Sequence, residues 1–374
     1  MRGRSECGNN NKIRFDSMTA QETIALLQKL IATPSMSGDE GGTADILAAE
    51  LASRGVAVRR HHNNVWALSK GFDAAKPTLM LNSHQDTVKP SPNYTRNPFE
   101  PTIEGNRLYG LGSNDAGASL VSLVATFCNN YDTSALPYNL LLALTAEEEN
   151  MGERGMRSFL PHLKDEGVKV DMVLVGEPTS MQPAVGERGL VVLDCTAHGK
   201  SGHAARNEGE NALYKAIVDI ERLRNFRFEK VSELLGDIKI TVTQISAGTQ
   251  HNIVPDECRF VVDIRTTDVY SNEEVVELLQ GAVECEAKPR STRVRASAIA
   301  LSHPLVESAV AIGREPFISP TTSDRAIMQG LSALKMGVGE SSRSHTADEF
   351  VLVSEIEEGV ELYQKLLDEL RNRL

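Results

Sequence analysis

The first folded segment begins at Thr19, where a polar stretch gives way to a helical repeat of apolar residues. Ile24, Leu27 and Ile31 fall on one face of a helix with 3.6 residues per turn. Thr19 and Glu22 have the spacing of a capping box, in which two side chains satisfy the first free backbone N–H groups. The pattern therefore predicts an amphipathic helix from Thr19, and the next segment predicts a second helix.

Short apolar runs then alternate with helical segments. The runs TLMLNS, NLLLALT and MVLV are apolar along most of their length, which is typical of strands buried on both faces of a sheet. Alternation of such strands with helices predicts an α/β domain with a mostly parallel central sheet and helices on both faces. The predicted elements are helix Gly42–Arg54, strand Thr78–Ser83, helix Ala118–Asn130, strand Asn139–Thr145 and strand Met172–Val175.

The pattern changes after Gly189 to the order β-α-β-β-α-β, which is the order of a ferredoxin-like module. From about Ser302 the α/β pattern resumes, and it closes with a helix for which Ser354 and Glu357 are the expected capping box. The predicted elements of the module are strand Gly189–Ala197, helix Asn211–Phe226, strand Asp237–Ser246, strand Glu257–Thr266, helix Asn272–Ala282 and strand Thr292–Ala300.

This change of pattern predicts two domains, as expected for a chain of 374 residues. Residues 18–187 and 302–374 would form a discontinuous larger domain, interrupted by an inserted domain of residues 188–301. Residues 1–17 are expected to be a disordered leader, and Met18 is a plausible true start.

Net charge, the length of apolar runs and cysteine spacing limit the kinds of partner and the cellular location expected for the protein. The formal net charge of −12 argues against a nucleic-acid partner, because phosphate binding needs a basic surface. No apolar run approaches the roughly 20 residues of a membrane helix, and the polar start does not have the form of a secretory signal. The five cysteines are scattered and lack metal-ligand spacing, which is typical of reduced thiols in a cytoplasmic protein.

Carboxylates and histidines collect at the ends of the predicted strands, where ligands bind in open α/β sheets. Taken singly, each has a structural explanation: Asp115 could cap a helix, and three glutamates in an acidic protein could form a solvated loop. Together they indicate a metal site, because chance rarely places so many ligand-type residues at neighbouring strand ends. The set comprises His84, Asp86, Asp115, Glu147, Glu148, Glu149, Glu177 and His345.

Six segments carry a family resemblance: SHQDTV, NPFEPTIEGNRLYGLGSNDAG, TAEEE, VGEPTS, GKSGHAA and SHTADEF. In this order they resemble the dinuclear-zinc hydrolases that include acetylornithine deacetylase, succinyl-diaminopimelate desuccinylase, aminoacylase and a glutamate-releasing carboxypeptidase. The resemblance spans about residues 19–374 and implies a zinc-binding catalytic domain interrupted by a lid domain that forms a homodimer.

The resemblance also implies a ligand set for two zinc ions per chain. His84 and Glu177 would bind one ion, Glu149 and His345 the other, and the Asp115 carboxylate both. Imidazole and carboxylate ligands suit zinc, and cobalt is a possible substitute. Asp86 would accept the free ring N–H of His84 and so fix its tautomer.

The three consecutive glutamates Glu147–Glu149 form an acidic triplet. In the family's pattern the last acid of this triplet binds metal and the middle one is the general base. Glu148 would therefore take a proton from the attacking water and pass it to the leaving amine. Glu147 stands where the family usually has Asp, and we expect a helix-end or supporting role for it.

Three further residues match positions of the family outside the metal ligands. His203 resembles a lid histidine that reaches the neighbouring subunit's active site. Asn252 matches a lid asparagine and Arg325 a substrate-pocket residue, both expected to bind the substrate's carboxylate or oxyanion. For Arg265 a structural role at a strand end is equally open.

Two departures from the family's pattern bear on the substrate. Many members have Arg where this chain has Leu111 and Lys where it has Gly117. Neither position is a metal ligand, so the departures do not affect the expected reaction. They leave undetermined which acyl group and which amine the substrate carries.

We expect a cytoplasmic, zinc-dependent hydrolase of an N-acyl amino acid, with N-acetyl-L-ornithine of arginine biosynthesis as the first candidate substrate. A related N-acyl-ornithine or N-acetylcitrulline, succinyl-diaminopimelate of lysine biosynthesis, or a dipeptide are the alternatives. A binding or scaffolding relative without metal is the hypothesis from another class, and it requires that ligands have been lost.

Overall fold

The computed structural model describes residues 17–132, 134, 136–206 and 208–374. Apart from Ser17, the predicted leader lies outside the described residues. The chain divides into two compact units. Unit 1 contains the described residues up to Asp171, Gly176–Met181 and Gly337–Leu374, and unit 2 contains Met172–Val175 and Gln182–Met336. The predicted domain boundaries at 188 and 301 stay a prediction.

The elements follow the predicted alternation closely. The helices are α1 Ala20–Ile31, α2 Gly41–Ser53, α3 Ala118–Asn129, α4 Met156–Asp165, α5 Ala212–Asn225, α6 Asn272–Ala282, α7 Pro304–Ala311 and α8 Val353–Arg371. The strands are β1 Val58–His61, β2 Asn64–Leu68, β3 Thr78–His84, β4 Thr102–Glu104, β5 Arg107–Tyr109, β6 Asn139–Thr145, β7 Met172–Val175, β8 Ala184–Glu187, β9 Gly189–His198, β10 Gly202–His203, β11 Lys239–Ala247, β12 Ile253–Val254, β13 Glu257–Thr266, β14 Glu286–Pro289, β15 Ser297–Ala298, β16 Phe317–Ser319, β17 Ser332–Lys335 and β18 Phe350–Leu352.

In unit 1 the strands β3 and β6 form a parallel pair. Every residue of both strands is buried, which explains their unbroken apolar runs. The strands β1 and β2 form an antiparallel hairpin, and β2 pairs antiparallel with β6. The two-residue connection between β1 and β2 permits only an antiparallel pair. The sheet is therefore mixed, within the predicted α/β fold class.

The two predicted capping boxes have different outcomes. At α1 the box is confirmed, because Glu22 N donates to Thr19 Oγ1 and Thr19 N to Glu22 Oε2. At α8 the prediction was wrong, because Leu352 N donates to Glu355 Oε2 and the helix begins at Val353. The hydroxyl of Ser354 accepts a hydrogen bond from the Asn106 side chain instead.

Unit 2 contains a four-stranded antiparallel sheet in the order β11-β13-β9-β14, with α5 and α6 in the chain order of a ferredoxin-like module. Its fourth strand is Glu286–Pro289, so the predicted strand Thr292–Ala300 was wrong. Within that segment, Ser297–Ala298 pairs with β8. Alternation of polar and apolar residues predicts an extended segment but does not specify its partner strand. In the rest of unit 2, β17 pairs with β7 and β8, and β8 pairs with β16.

No helix within the described ranges combines the length and the hydrophobicity needed to cross a membrane.

Candidate metal centre and active site

The parallel pairing of β3 and β6 brings two parts of the site together. The register runs from Thr78 opposite Asn139 to His84 opposite Thr145, so both strands end at the same edge of the sheet. His84 is the last residue of β3, and the acidic triplet begins two residues after Thr145. Glu177 is held beside β3, because the flanking Gly176 exchanges hydrogen bonds with Asn82 O and Ser83 Oγ.

Asp115 lies in a tight turn, Ser113–Gly117, immediately before the buried helix α3. A carboxylate that the sequence analysis missed, that of Glu349, fixes this turn by accepting the backbone N–H groups of Gly112, Asn114 and Asp115 at 2.8–3.1 Å. Glu349 is 2% exposed, and burial followed by the charge of Asp115 raises its pKa to about 8. Its position in SHTADEF, four residues after His345, was the available signal.

The side chain of Asn114 connects this turn to the loop that carries His345. Asn114 Oδ1 accepts from Glu340 N at 2.9 Å, and Asn114 Nδ2 donates to Glu340 O at 3.1 Å. His345 itself has a left-handed backbone, with φ of 58°. Residues distant in sequence are thus fixed at one place by partly buried hydrogen bonds.

The two oxygens of Asp115 face different imidazoles. Asp115 Oδ1 lies 3.3 Å from His84 Nε2, and Asp115 Oδ2 lies 3.5 Å from His345 Nε2. The nearest oxygen of Glu177 is 3.6 Å from His84 Nε2, and that of Glu149 is 3.1 Å from His345 Nε2. The pairwise contacts therefore follow the division of ligands that the family resemblance implies.

Glu148 also points into this cluster, with Oε2 at 4.0 Å from His84 Nε2. Two sets of ligand atoms lie mutually within 4.8 Å: His84 with Glu148 and Glu177, and His84 with Asp115 and Glu149. The five predicted ligands and the predicted base are therefore neighbours. The assignment of Glu148 as base and Glu149 as ligand stays a prediction.

The electrostatics of the cluster favour positive charge. Burial alone would lower the pKa of His84, but the charge of Glu148 and the hydrogen bond to Asp115 raise it well above the usual value. The hydrogen bond to Glu149, opposed by burial, raises the pKa of His345 to about 9. A donor set of imidazoles and carboxylates in such a field fits divalent cations such as zinc.

Asp86 contacts the imidazole of His84 through both its main chain and its side chain. His84 Nδ1 lies 2.9 Å from the main-chain oxygen of Asp86 and 3.5 Å from its carboxylate. The main-chain oxygen is therefore the nearer acceptor for the imidazole, and the role of the carboxylate in fixing its tautomer stays a prediction. That carboxylate accepts the backbone N–H groups of Glu148 and Glu149 at 3.0 and 3.1 Å.

The family's lysine position is closed to side chains in this chain. A Cβ atom on Gly117 would lie 2.3 Å from Gly112 O and 2.7 Å from a methyl carbon of Leu27. Gly117 has helical dihedral angles, so space rather than backbone conformation requires the glycine.

The remaining predicted residues lie in unit 2. His203 and Asn252 are neighbours, because β10 pairs with β12 and Ala204 N donates to Asn252 O. Both side chains are exposed. Arg265 pairs with Asp263 on its own strand, which fits the structural alternative.

Arg325 is placed differently, because it is 1% exposed. Its guanidinium donates to the carbonyls of Ala184 and Val185 at 2.8 and 3.4 Å. This geometry gives Arg325 a packing role within unit 2, and its contact with a substrate stays a prediction.

Residues 80–369 match a family described as peptidase family M20/M25/M40. The chain belongs to this family. Succinyl-diaminopimelate desuccinylase of Delftia acidovorans is 26% identical over 384 residues, covering 94% of this chain and 98% of that protein. The protein of the same name from Dinoroseobacter shibae is 27% identical over 374 residues, covering 92% and 98%.

Two solved structures with the same fold illustrate the similarity. An aminopeptidase from Bacillus cereus superposes with a TM-score of 0.74 at 18% identity, covering 94% of this chain and 99% of that one. A Bacillus subtilis protein described as a dinuclear metal binding peptidase gives 0.67 at 16% identity, covering 93% and 97%.

Proposed function

We propose that the protein is a metal-dependent amidohydrolase that releases the amino acid from an N-acylated amino acid. The observation that carries the proposal is the convergence, within unit 1, of His84, Asp115, Glu149, Glu177 and His345 around the two oxygens of Asp115. These five residues would hold two divalent cations, with zinc as the first candidate and cobalt as a substitute. When bound, such cations polarise a carbonyl group and make water more acidic.

The chain's own residues would then supply orientation and proton transfer. Glu148 would accept a proton from the attacking water and deliver it to the leaving nitrogen of the amide. Asp86 would hold the backbone of Glu148 and Glu149, and Glu349 would hold that of Asp115. His203 and Asn252 would bind the substrate's carboxylate or the developing oxyanion.

N-succinyl-diaminopimelate is the first candidate substrate, because the curated relatives described above are desuccinylases for that compound. The expectation of acetylornithine has no such support among them. A hydrolysis panel tests the proposal: N-succinyl-diaminopimelate, N-acetyl- and N-succinyl-ornithine, N-acetylcitrulline and a dipeptide, each with zinc and with chelator. Chelator-sensitive turnover of the first compound supports the proposal, and turnover of none contradicts it.

We further propose a homodimer formed through unit 2. In the described part of its four-stranded sheet, β11 pairs on one side only, and an exposed strand edge invites pairing with a second chain. Tyr214, Ile217 and Val218 on the neighbouring helix α5 are also exposed. Two-fold pairing is the commonest closed symmetry.

Sedimentation tests this assembly, with Ile245→Lys on β11 as the variant expected to give monomers. A mixture of His203→Ala and Glu148→Gln chains tests whether His203 acts on the partner's substrate. In that case a mixed dimer has one intact site and activity returns. If activity does not return although subunit exchange is proven, His203 does not take part in catalysis in the partner subunit.

A further inference from the structure

The backbone of the acidic triplet ends on buried carboxylates at every residue. Glu147 N donates to Glu40 Oε1 at 3.2 Å, Glu148 N to Asp86 Oδ1 at 3.0 Å, and Glu149 N to Asp86 Oδ2 at 3.1 Å. Hydrogen bonds from N–H groups to carboxylates are stronger than those to neutral acceptors. Two side chains therefore fix the backbone from which the proposed base and ligand project.

Glu40 has no place in the family resemblance stated above, yet its surroundings fit a specific role. Its side chain is 0% exposed, and Glu40 directly precedes helix α2. It also accepts hydrogen bonds from Gly38 N at 2.5 Å and from Asn63 Nδ2 at 2.9 Å. A buried carboxylate is costly unless its oxygens are paired, and here both oxygens are.

Glu147 closes the same turn from the opposite side. Its φ of 55° lies in the left-handed region, which residues other than glycine rarely adopt. Its carboxylate accepts from Arg154 N and Arg154 Nε, each at 2.9 Å, and its carbonyl oxygen accepts from Gly152 N at 2.8 Å. A Cβ on Gly152 would lie 2.1 Å from Glu147 Oε2, so the loop fits tightly around this carboxylate.

We propose that Glu40 is a positioning residue for Glu148, acting through the backbone of Glu147. The proposal rests on the proposed function, because it takes Glu148 as the base. With the left-handed conformation of Glu147 supported by Glu40, the next residue projects its carboxylate toward His84. Without Glu40 the N–H of Glu147 loses its acceptor, the turn relaxes, and Glu148 departs from the geometry that proton transfer requires.

The test compares Glu40→Ala, Glu40→Gln and Asn139→Ala. In Glu40→Gln the amide oxygen can accept from Gly38 and Glu147, while Asn63 can reverse its own amide to pair with the new NH₂ group. Asn139 is the matched control, because it is 1% exposed and makes side-chain hydrogen bonds to Asp73, Lys76 and Thr78 at the far end of β6.

Three measurements are made on each full-length variant: kcat and KM, the number of bound zinc ions, and amide hydrogen exchange in the metal-free protein over residues 146–152. For Glu40→Ala we expect kcat to fall about 10- to 100-fold with little change in KM or zinc content, as for other groups that orient site residues. Exchange over 146–152 should accelerate, while Glu40→Gln should recover most of both effects and Asn139→Ala should show neither.

Unchanged kcat and exchange in Glu40→Ala would overturn the proposal, and so would an equal loss of kcat in Asn139→Ala. If Glu40→Ala does not fold, Glu40→Asp replaces it, because the shorter side chain withdraws the carboxylate from Glu147 N; normal kcat and exchange there would also overturn the proposal. A wild-type protein inactive on the whole panel would instead contradict the proposed function, and exchange would still decide whether Glu40 holds the turn.

Discussion

Two buried clusters of charge differ in how their carboxylates are balanced. In unit 2, Glu187 lies 3.2 Å from Lys335 and 4.0 Å from Arg325, and all three side chains are almost wholly buried. In unit 1, the carboxylates of Asp115, Glu148, Glu149 and Glu177 converge on two imidazoles. In the first cluster the side chains of Lys335 and Arg325 supply permanent positive charge. In the second, positive charge is present only when the imidazoles of His84 and His345 are protonated.

The difference separates a structural cluster from a candidate binding site. Burying charge is tolerated when the partner charge is built into the chain, as Lys335 is for Glu187. The unit 1 cluster raises the pKa of His84 and His345, which shows that its field favours additional positive charge. Mobile divalent cations would supply that charge, so the imbalance itself points to metal binding.

The largest effect is expected from removing the shared carboxylate of the unit 1 cluster. Asp115→Asn should abolish high-affinity binding of at least one of two expected zinc ions and reduce turnover to near background, because each proposed site loses a ligand. Calorimetric titration with zinc, with atomic absorption of the dialysed protein, measures this. Full zinc content in the variant would refute the bridging role.

The next effect separates the roles within the triplet. Glu148→Gln should retain both zinc ions and lose about 10²- to 10⁴-fold in kcat, because it removes the proton carrier alone. Glu149→Gln should instead lose zinc affinity. Near-normal turnover of Glu148→Gln at full zinc content would mean that base and ligand are wrongly assigned.

The unit 2 cluster should respond through stability rather than metal binding. Lys335→Met leaves the Glu187 charge buried and should cost about 3–5 kcal/mol in the free energy of unfolding, as for other broken buried pairs. Combining it with Glu187→Leu should recover much of the loss. Urea unfolding and zinc content are the measurements, and loss of zinc in folded Lys335→Met would erase the distinction between the clusters.

The smallest effect is expected from a pair of stacked histidines, His61 and His162. His61 stacks on His162 with centroids 4.1 Å apart, and burial followed by the charges of His162 and His62 lowers the pKa of His61. Because the folded protein then binds this proton less tightly than the unfolded chain, stability should fall as the pH drops below about 6.5.

His162→Phe retains a stacked ring without the charge. The melting temperature of the metal-free variant should therefore fall less between pH 7.5 and pH 5.5 than that of the wild type. An equal or larger decrease would exclude the stacked pair as a source of the pH dependence.

Sequence predicted most of the fold because local periodicity specifies element type. The bounds of β6, β7, β13 and α6 agree with the predictions, whereas the fourth strand of the unit 2 sheet did not. Strand pairing is a long-range choice, and alternation in residues 292–300 carried no information on it. The antiparallel hairpin at β1 and β2 was also missed, although its two-residue connection makes this pairing local.

The candidate site divides along a similar line. Residues with ligand chemistry, such as His84 and His345, were identified at strand and loop ends and through motifs. Glu40, Glu349 and the carboxylate of Asp86 act on backbone N–H groups of other segments, and those contacts exist only after folding. Glu349 had a sequence signal in its position within SHTADEF, but that signal does not identify the N–H groups that its carboxylate binds.

The crowded environment of Gly117 determines which substitutions in this turn must come before others. A lysine there would place its Cβ against Gly112 O, so that single exchange is blocked while the turn keeps its present path. The peptide plane of Gly112 would have to shift first, and that plane precedes the residue that both proposed cations would share. Exchanging Gly117 alone should therefore fail to transfer a relative's substrate preference to this chain. Exchanging the whole turn together with Leu27 would remove both steric conflicts.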